Sequence, residues 1–289
     1  MRLESYFART GYAGPATPTR DVLGNLLRAH VFTVPFENLD VQLGQTLTID
    51  PEAAFDKIVT RNRGGWCYEH NGLFGWALSR IGFEVTRVAA AVMRGDRGAI
   101  ADNNHLTLLV RTADSDDRWL VDVGFGGSMT APIQLREGTH EQAPFRLGLR
   151  QLAARSWQFW EDIGKGEFSF DFACEPADEA ALDRKCRYLQ TSPDSSFVQN
   201  LVAQLRQPDA HTTLRGKVFS HATSAGITTR TLESPDDLTT TLRDVFGLNV
   251  PEVAELWSRI EARHEAFLRE QPLADTYEIR SRAHDKPLG

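Results

Sequence analysis

The run Arg63-Gly64-Gly65-Trp66-Cys67-Tyr68-Glu69-His70-Asn71 sets a thiol where a glycine turn hands over to a helix. The thiolate is the reactive form of cysteine, and the unsatisfied N–H groups and dipole of a helix start favour it. Gly64 and Gly65 give the turn its freedom and leave room for a substrate. Downstream, Leu73, Phe74, Ala77, Leu78 and Ile81 follow a helical period that Gly82 stops. Cys67 therefore stands in the first helical turn as a candidate nucleophile. The competing reading is a small apolar residue in a core, and it suits Cys174, after an alternating run, and Cys186, in Arg184-Lys185-Cys186-Arg187.

A thiol nucleophile needs a base within reach and a third group to orient that base. The chain has eight histidines. His70 lies three residues beyond Cys67 with no carboxylate to fix its ring, and His30 rides on an amphipathic face. His140, His211, His221, His264 and His284 sit in polar or loop-like stretches and read as solvated or locally bonded. His105 differs, because it opens the strand pattern His105-Leu106-Thr107-Leu108-Leu109-Val110-Arg111. A polar loop, Thr112 to Asp117, joins it to Arg118-Trp119-Leu120-Val121-Asp122-Val123, so the two strands are antiparallel neighbours. With Arg111 opposite Arg118, Thr107 falls opposite Asp122, and His105 shares the face of Thr107. A slip of two residues puts His105 directly opposite Asp122, whereas a slip of one separates them. Asp122 lies among apolar residues, where a carboxylate needs a partner such as an imidazolium.

The elements that must position these groups fall into three zones. Residues 1–85 read as helical: Val22, Leu23, Leu26 and Leu27 share a face, and Asp50-Pro51 caps a helix continued by Phe55, Ile58 and Val59. Between these helices Val34-Pro35-Phe36-Glu37-Asn38-Leu39 reads as an ordered loop. Residues 86–200 carry short alternating strands, an antiparallel sheet or small barrel. A helical stretch, Phe197 to Leu205, leads into residues 201–289, a mixed α and β zone with strands near Lys217 to Ser220 and Ile227 to Leu232 and two closing helices. The fold class expected is α+β.

Composition bounds the setting. The 289 residues are 41% hydrophobic and 25% charged with a net charge of −7, which argues against nucleic acid as a main partner. Three widely spaced cysteines do not make a disulfide framework, and no window is long and apolar enough for a membrane span or signal core. A reducing cytoplasm is the simplest address. Cys67, Glu69, His70 and His105 lack the second cluster that a zinc site requires, so no metal is expected. The sequence carries no signal of oligomeric state.

The segment Arg63 to Phe74, the loop Pro35-Phe36-Glu37-Asn38-Leu39, the strand start His105 to Val110, Val121-Asp122-Val123-Gly124-Phe125-Gly126 and Thr191 to Phe197 together resemble arylamine N-acetyltransferases of bacterial type. The resemblance implies a helical bundle, a central antiparallel β-barrel and an α/β lid around a thiol-protease-like core, with Cys67, His105 and Asp122 as the catalytic triad. It implies acetyl-CoA as donor, an arylamine, arylhydrazine or arylhydroxylamine as acceptor, and an acetyl-cysteine intermediate. Phe36 and Phe125 match aromatic positions lining the acceptor pocket. Gly124, Gly126 and Gly127 are candidates for close approach to CoA, and Arg63 and Glu69 are expected to pair and fix the loop. The rival with the same triad is a thiol amidohydrolase or transglutaminase-like enzyme.

Overall fold

The computed structural model of the protein describes residues 1–270. The helical zone contains α1 (Leu3–Thr10), α2 (Arg20–Thr33), the two-residue strand β1 (Phe36–Glu37), α3 (Leu39–Gln42), α4 (Pro51–Phe55) and α5 (Cys67–Ile81). Asp50 caps α4 by accepting from the Glu52 N–H at 2.9 Å, and Pro51 fills its first position, where no N–H is needed. A π-helical turn, Asp56–Thr60, extends α4. The helix α5 starts at Cys67 and ends at Gly82, whose φ of 109° no side-chain-bearing residue readily adopts.

Eight strands follow: β2 (Glu84–Val92), β3 (His105–Thr112), β4 (Ser115–Val121), β5 (Ile133–Gln134), β6 (Gly138–Gln142), β7 (Phe145–Ala153), β8 (Ser156–Asp162) and β9 (Glu167–Ala173), with α6 (Arg94–Arg97) between β2 and β3. They form one curled antiparallel sheet of order β5-β4-β3-β2-β9-β8-β7-β6. Its two edges are tied by a side chain: Gln142 of β6 accepts from the Thr130 and Ala131 N–H groups just before β5 and donates to the Ala131 carbonyl. The helix α5 lies on this sheet. Its Leu73, Phe74, Ala77 and Leu78 join Val88, Leu108 and Val110 in the main core, each large side chain contributing roughly 1.5–3 kcal/mol by burial.

The rest of the chain supplies α7 (Glu179–Thr191), α8 (Ser196–Gln199), β10 (Val202–Gln207), β11 (Ala210–Arg215), β12 (Val218–Thr223), β13 (Gly226–Thr231), α9 (Pro235–Phe246) and α10 (Trp257–Glu270). The second sheet has the order β1-β10-β11-β12-β13, so an early two-residue strand edges a sheet built from the last zone. Two sequence expectations change here. The helix expected over Phe197 to Leu205 stops at Gln199, because Val202 to Gln207 pairs with β1 and β11. The loop expected at Phe36 is regular for two residues, with Phe36 opposite Gln204 on one side and bridged to Gly65 on the other. Among the described residues no helix is long and apolar enough to cross a membrane. His284 lies outside the described residues.

Candidate active site

Cys67 opens α5 as a buried residue, 3% exposed. The turn before it is shaped by its neighbours rather than by left-handed backbone. A Cβ on Gly64 would lie 2.1 Å from the Pro35 carbonyl oxygen, and one on Gly65 would lie 2.9 Å from Glu69 Oε2. The two glycines therefore admit protein, where the sequence reading gave them to substrate. Glu69 Oε2 accepts from the Trp66 N–H at 3.1 Å, satisfying one orphan donor of the helix start.

Five buried or half-buried charges anchor the same turn. Lys57 lies 3.0 Å from Glu69, 3.2 Å from Asp40 and 3.8 Å from Glu37, while Arg63 lies 2.8 Å from Asp40 and 3.0 Å from Glu37. Arg63 and Glu69 thus do not pair with each other as expected; each has its own partners in one network. Lys57 is buried, yet its three carboxylates hold its pKa above the ordinary lysine value.

On the other side of Cys67 stand His105 and Asp122. The strand register is the first of those expected: Arg111 faces Arg118, Val110 faces Trp119 and Leu108 faces Val121. Asp122 follows the last residue of β4, and its Oδ2 meets His105 Nε2 at 2.6 Å. Its Oδ1 accepts from the Asn71 side-chain amide and from the Gly124 N–H, both at 2.8 Å. Both oxygens of this buried carboxylate are engaged, and with Nε2 committed, Nδ1 is the remaining nitrogen of His105.

Asn71, which closes the opening motif, is a clamp. Its amide also donates to the Leu106 carbonyl at 2.7 Å, and its Oδ1 accepts from the Val123 N–H at 3.0 Å. The available signal was spacing, since Asn71 is four residues from Cys67 and so shares its helix face. One turn of α5 carries the thiol and the group that fixes Asp122.

The sulfur is not ionised by the helix start alone. Burial pushes the Cys67 thiol up, and the nearby Asp122 charge adds to the rise, against the backbone N–H groups of Leu106 and Tyr68, which favour the thiolate. A buried thiolate here requires a cation beside it. The Asn104 carbonyl lies 4.0 Å from the sulfur.

The remaining sequence candidates sit around this centre. Phe36 is buried in the cluster that holds Trp66, Cys67 and Leu106. Phe125 is half-buried, with its ring 5.2 Å from that of His105 and stacked on Phe168 at 5.0 Å. A Cβ on Gly124 would lie 2.8 Å from Cys67 Cα, so this residue lets the loop touch α5. Gly126 and Gly127, with φ of 82° and 90°, lie against Gln204 and Arg206 of β10. His30, His70 and His211 are buried, unlike the solvated or local reading given to most histidines. Cys186 is buried and Cys174 half-buried. Among the described residues no group of three or more His, Cys, Asp or Glu side chains is placed to hold a metal ion.

Comparison with known proteins agrees with this geometry over nearly the whole chain. Residues 19–255 match the family model described as N-acetyltransferase. The arylamine N-acetyltransferase of Mycobacterium tuberculosis is 35% identical over 288 residues, covering 95% of this chain and 99% of the relative. The solved arylamine N-acetyltransferase of Mycobacterium smegmatis superposes with a TM-score of 0.83 at 32% identity, covering 90% of this chain and 97% of that one. The enzyme of Mycobacterium marinum, solved in complex with CoA, gives 0.81 at 34% identity over 91% and 98% of the two chains. A thiol at a helix start, an Asp-held histidine on the strand beside it, and end-to-end likeness in sequence and fold mean that this chain belongs to the arylamine N-acetyltransferase family.

Proposed function

We propose that the protein transfers the acetyl group of acetyl-CoA to the nitrogen of arylamines or arylhydrazines, or the oxygen of arylhydroxylamines, through acetylated Cys67. The observation that carries the reading is the His105–Asp122 hydrogen bond, 2.6 Å long and buried, which commits Nε2 and leaves Nδ1 to serve the thiol. His105 takes the Cys67 proton, and the imidazolium beside Asp122 supplies the cation that a buried thiolate needs. The thiolate attacks the thioester carbonyl carbon, the bond from that carbon to the CoA sulfur breaks, and the CoA thiolate leaves with the proton from His105. One thioester has replaced another, so the exchange is nearly balanced in energy. The acceptor nitrogen then attacks the acetyl carbon, the bond to Cys67 breaks, and the nitrogen's proton passes through His105 to the departing thiolate. Ping-pong kinetics follow.

Tyr68 and Leu106 N–H groups, which favour negative charge at the sulfur, are suited to the developing oxyanion. Phe36 and Phe125 are assigned to the aromatic acceptor, consistent with an apolar wall beside Cys67 and His105. The backbone of Gly124, Gly126 and Gly127 is assigned to the CoA path, since this loop borders Cys67. Mass spectrometry tests the reading: acetyl-CoA should leave a single acetyl group on Cys67, and an arylamine should remove it. Labelling at another residue, or amide hydrolysis without acceptor-dependent CoA release, would reject it.

A further inference from the structure

A chain of three buried hydrogen bonds runs behind the acceptor wall, and the transfer chemistry uses none of its members. The Tyr6 hydroxyl meets His30 Nδ1 at 2.8 Å, His30 Nε2 meets His70 Nδ1 at 2.8 Å, and His70 Nε2 meets the Pro35 carbonyl oxygen at 3.1 Å. The direction of the chain follows from its end. A carbonyl only accepts, so His70 Nε2 carries a hydrogen and donates it; with both rings neutral, His70 Nδ1 is bare and accepts from the His30 Nε2–H. His30 Nδ1 then accepts from the Tyr6 hydroxyl. Burial supports neutral rings, lowering His70 to about 4 and His30 well below its ordinary value. Tyr6, His30 and His70 are each no more than 1% exposed.

The chain ends on the residue before Phe36. The ring of His70 lies parallel to the ring of Phe36, with 9° between planes and centroids 6.2 Å apart. Gly65 also holds Pro35 and Phe36: its N–H donates to the same Pro35 carbonyl at 3.3 Å, and it bridges Phe36. An imidazole bonded at both nitrogens cannot rotate about its ring axis, so its face is fixed. Phe36 packs on that face.

The geometry points to His70 as a positioning residue that acts through Phe36 to set the preference for planar aromatic acceptors over small non-aromatic nucleophiles. This rests on the assignment of Phe36 to the acceptor wall. The role belongs to the second half-reaction, because the acetyl group that loads Cys67 carries no aromatic ring whereas the arylamine that unloads it does.

Three variants separate the contributions. His70→Gln keeps a donor for Pro35 and removes the stacking ring, His70→Phe keeps a ring and removes both bonds, and Tyr6→Phe removes the far hydroxyl. Each is acylated with acetyl-CoA in a single turnover, then assayed with an arylamine and with unsubstituted hydrazine. The KM for the arylamine should rise about fivefold to tenfold in both His70 variants and about twofold in Tyr6→Phe. Acylation rate and hydrazine turnover should stay within twofold of the parent. Equal losses toward arylamine and hydrazine, or an unchanged arylamine KM in any folded His70 variant, would overturn the assignment. If neither His70 variant folds, Tyr6→Phe decides: a selective arylamine effect supports the role, and none rejects it. Failure of the parent protein to acetylate Cys67 would instead remove the transfer reading itself.

Discussion

Two buried polar clusters flank Cys67, and they are built on opposite principles. The ion network on one side sets Lys57 and Arg63 among Glu37, Asp40 and Glu69, so that each charge has opposite charge beside it. The His105–Asp122–Asn71 cluster on the other side is a short directional chain in which one imidazole nitrogen stays uncommitted. Mutual charge pairing makes the first chemically quiet. Incompleteness leaves the second a nitrogen that the proposed transfer uses to take a proton. The acids show a related contrast: Lys57 and Arg63 hold Asp40 below its ordinary value against the cost of burial, whereas near Asp122 the buried Glu161 is pushed up to about 8 by burial, with the Asp122 charge among the causes, and stays protonated at neutral pH.

Asp122→Asn strikes the directional chain hardest. Donation from an amide holds His105 in the wrong tautomer, and kcat/KM should fall about 10⁴-fold with the fold intact; a loss below tenfold would mean that Asp122 does not orient the base. On the saturated side, Lys57→Met strands three carboxylates and should lower unfolding free energy by roughly 3–5 kcal/mol in urea titrations. An unchanged midpoint would show that the network does not anchor the turn.

Glu161 yields a pH test. Its folded pKa lies above its unfolded one, so the native state holds a proton that the unfolded chain has lost, and stability declines as pH rises from about 4.5 to about 8. Glu161→Gln removes this slope and should gain roughly 3 kcal/mol on the parent between pH 5 and pH 7. Parallel stability curves for the two proteins would contradict it. The smallest effect belongs to Asn71→Ala, which leaves buried groups of Leu106 and Val123 unpaired and should destabilise by about 1–3 kcal/mol. Activity should drop in the same variant if Asp122 loses its place, and full activity would assign Asn71 to folding alone.

The directional cluster was legible in the sequence and the saturated one was not. Strand alternation and a short polar loop suffice to bring His105 and Asp122 to one face, and the observed pairing of Arg111 with Arg118 is the register those features imply. Helix punctuation likewise puts Cys67 at the first position of α5 and Gly82 at its end. Lys57 carries no such signal. It sits beside apolar Ile58 and meets partners from two separate stretches, Glu37 and Asp40 in one and Glu69 in the other, so its burial depends on tertiary contacts that no local period encodes. One of the two ladder partners of Val202 to Gln207, at Phe36, is likewise distant in the chain, although its other partner, β11, is adjacent. For α7, Leu182 and Cys186 form a buried i, i+4 stripe that the surrounding charges obscured. The spacing of Asn71 from Cys67 is legible, but its role as a clamp depends on Asp122, a partner distant in the chain.

The pairing of β1 with β10 also orders events during synthesis. Phe36 is made early, whereas Gln204, its ladder partner, belongs to the last third of the chain. At ribosomal speeds of about 5–20 residues per second, β1 waits on the order of 10 s for its neighbour. During that interval α5 and the curled sheet can assemble around Cys67, His105 and Asp122, while the edge carrying Phe36 has no strand to complete it. Under the proposed assignments, the triad can form before the strand that completes the acceptor wall at Phe36 has been made.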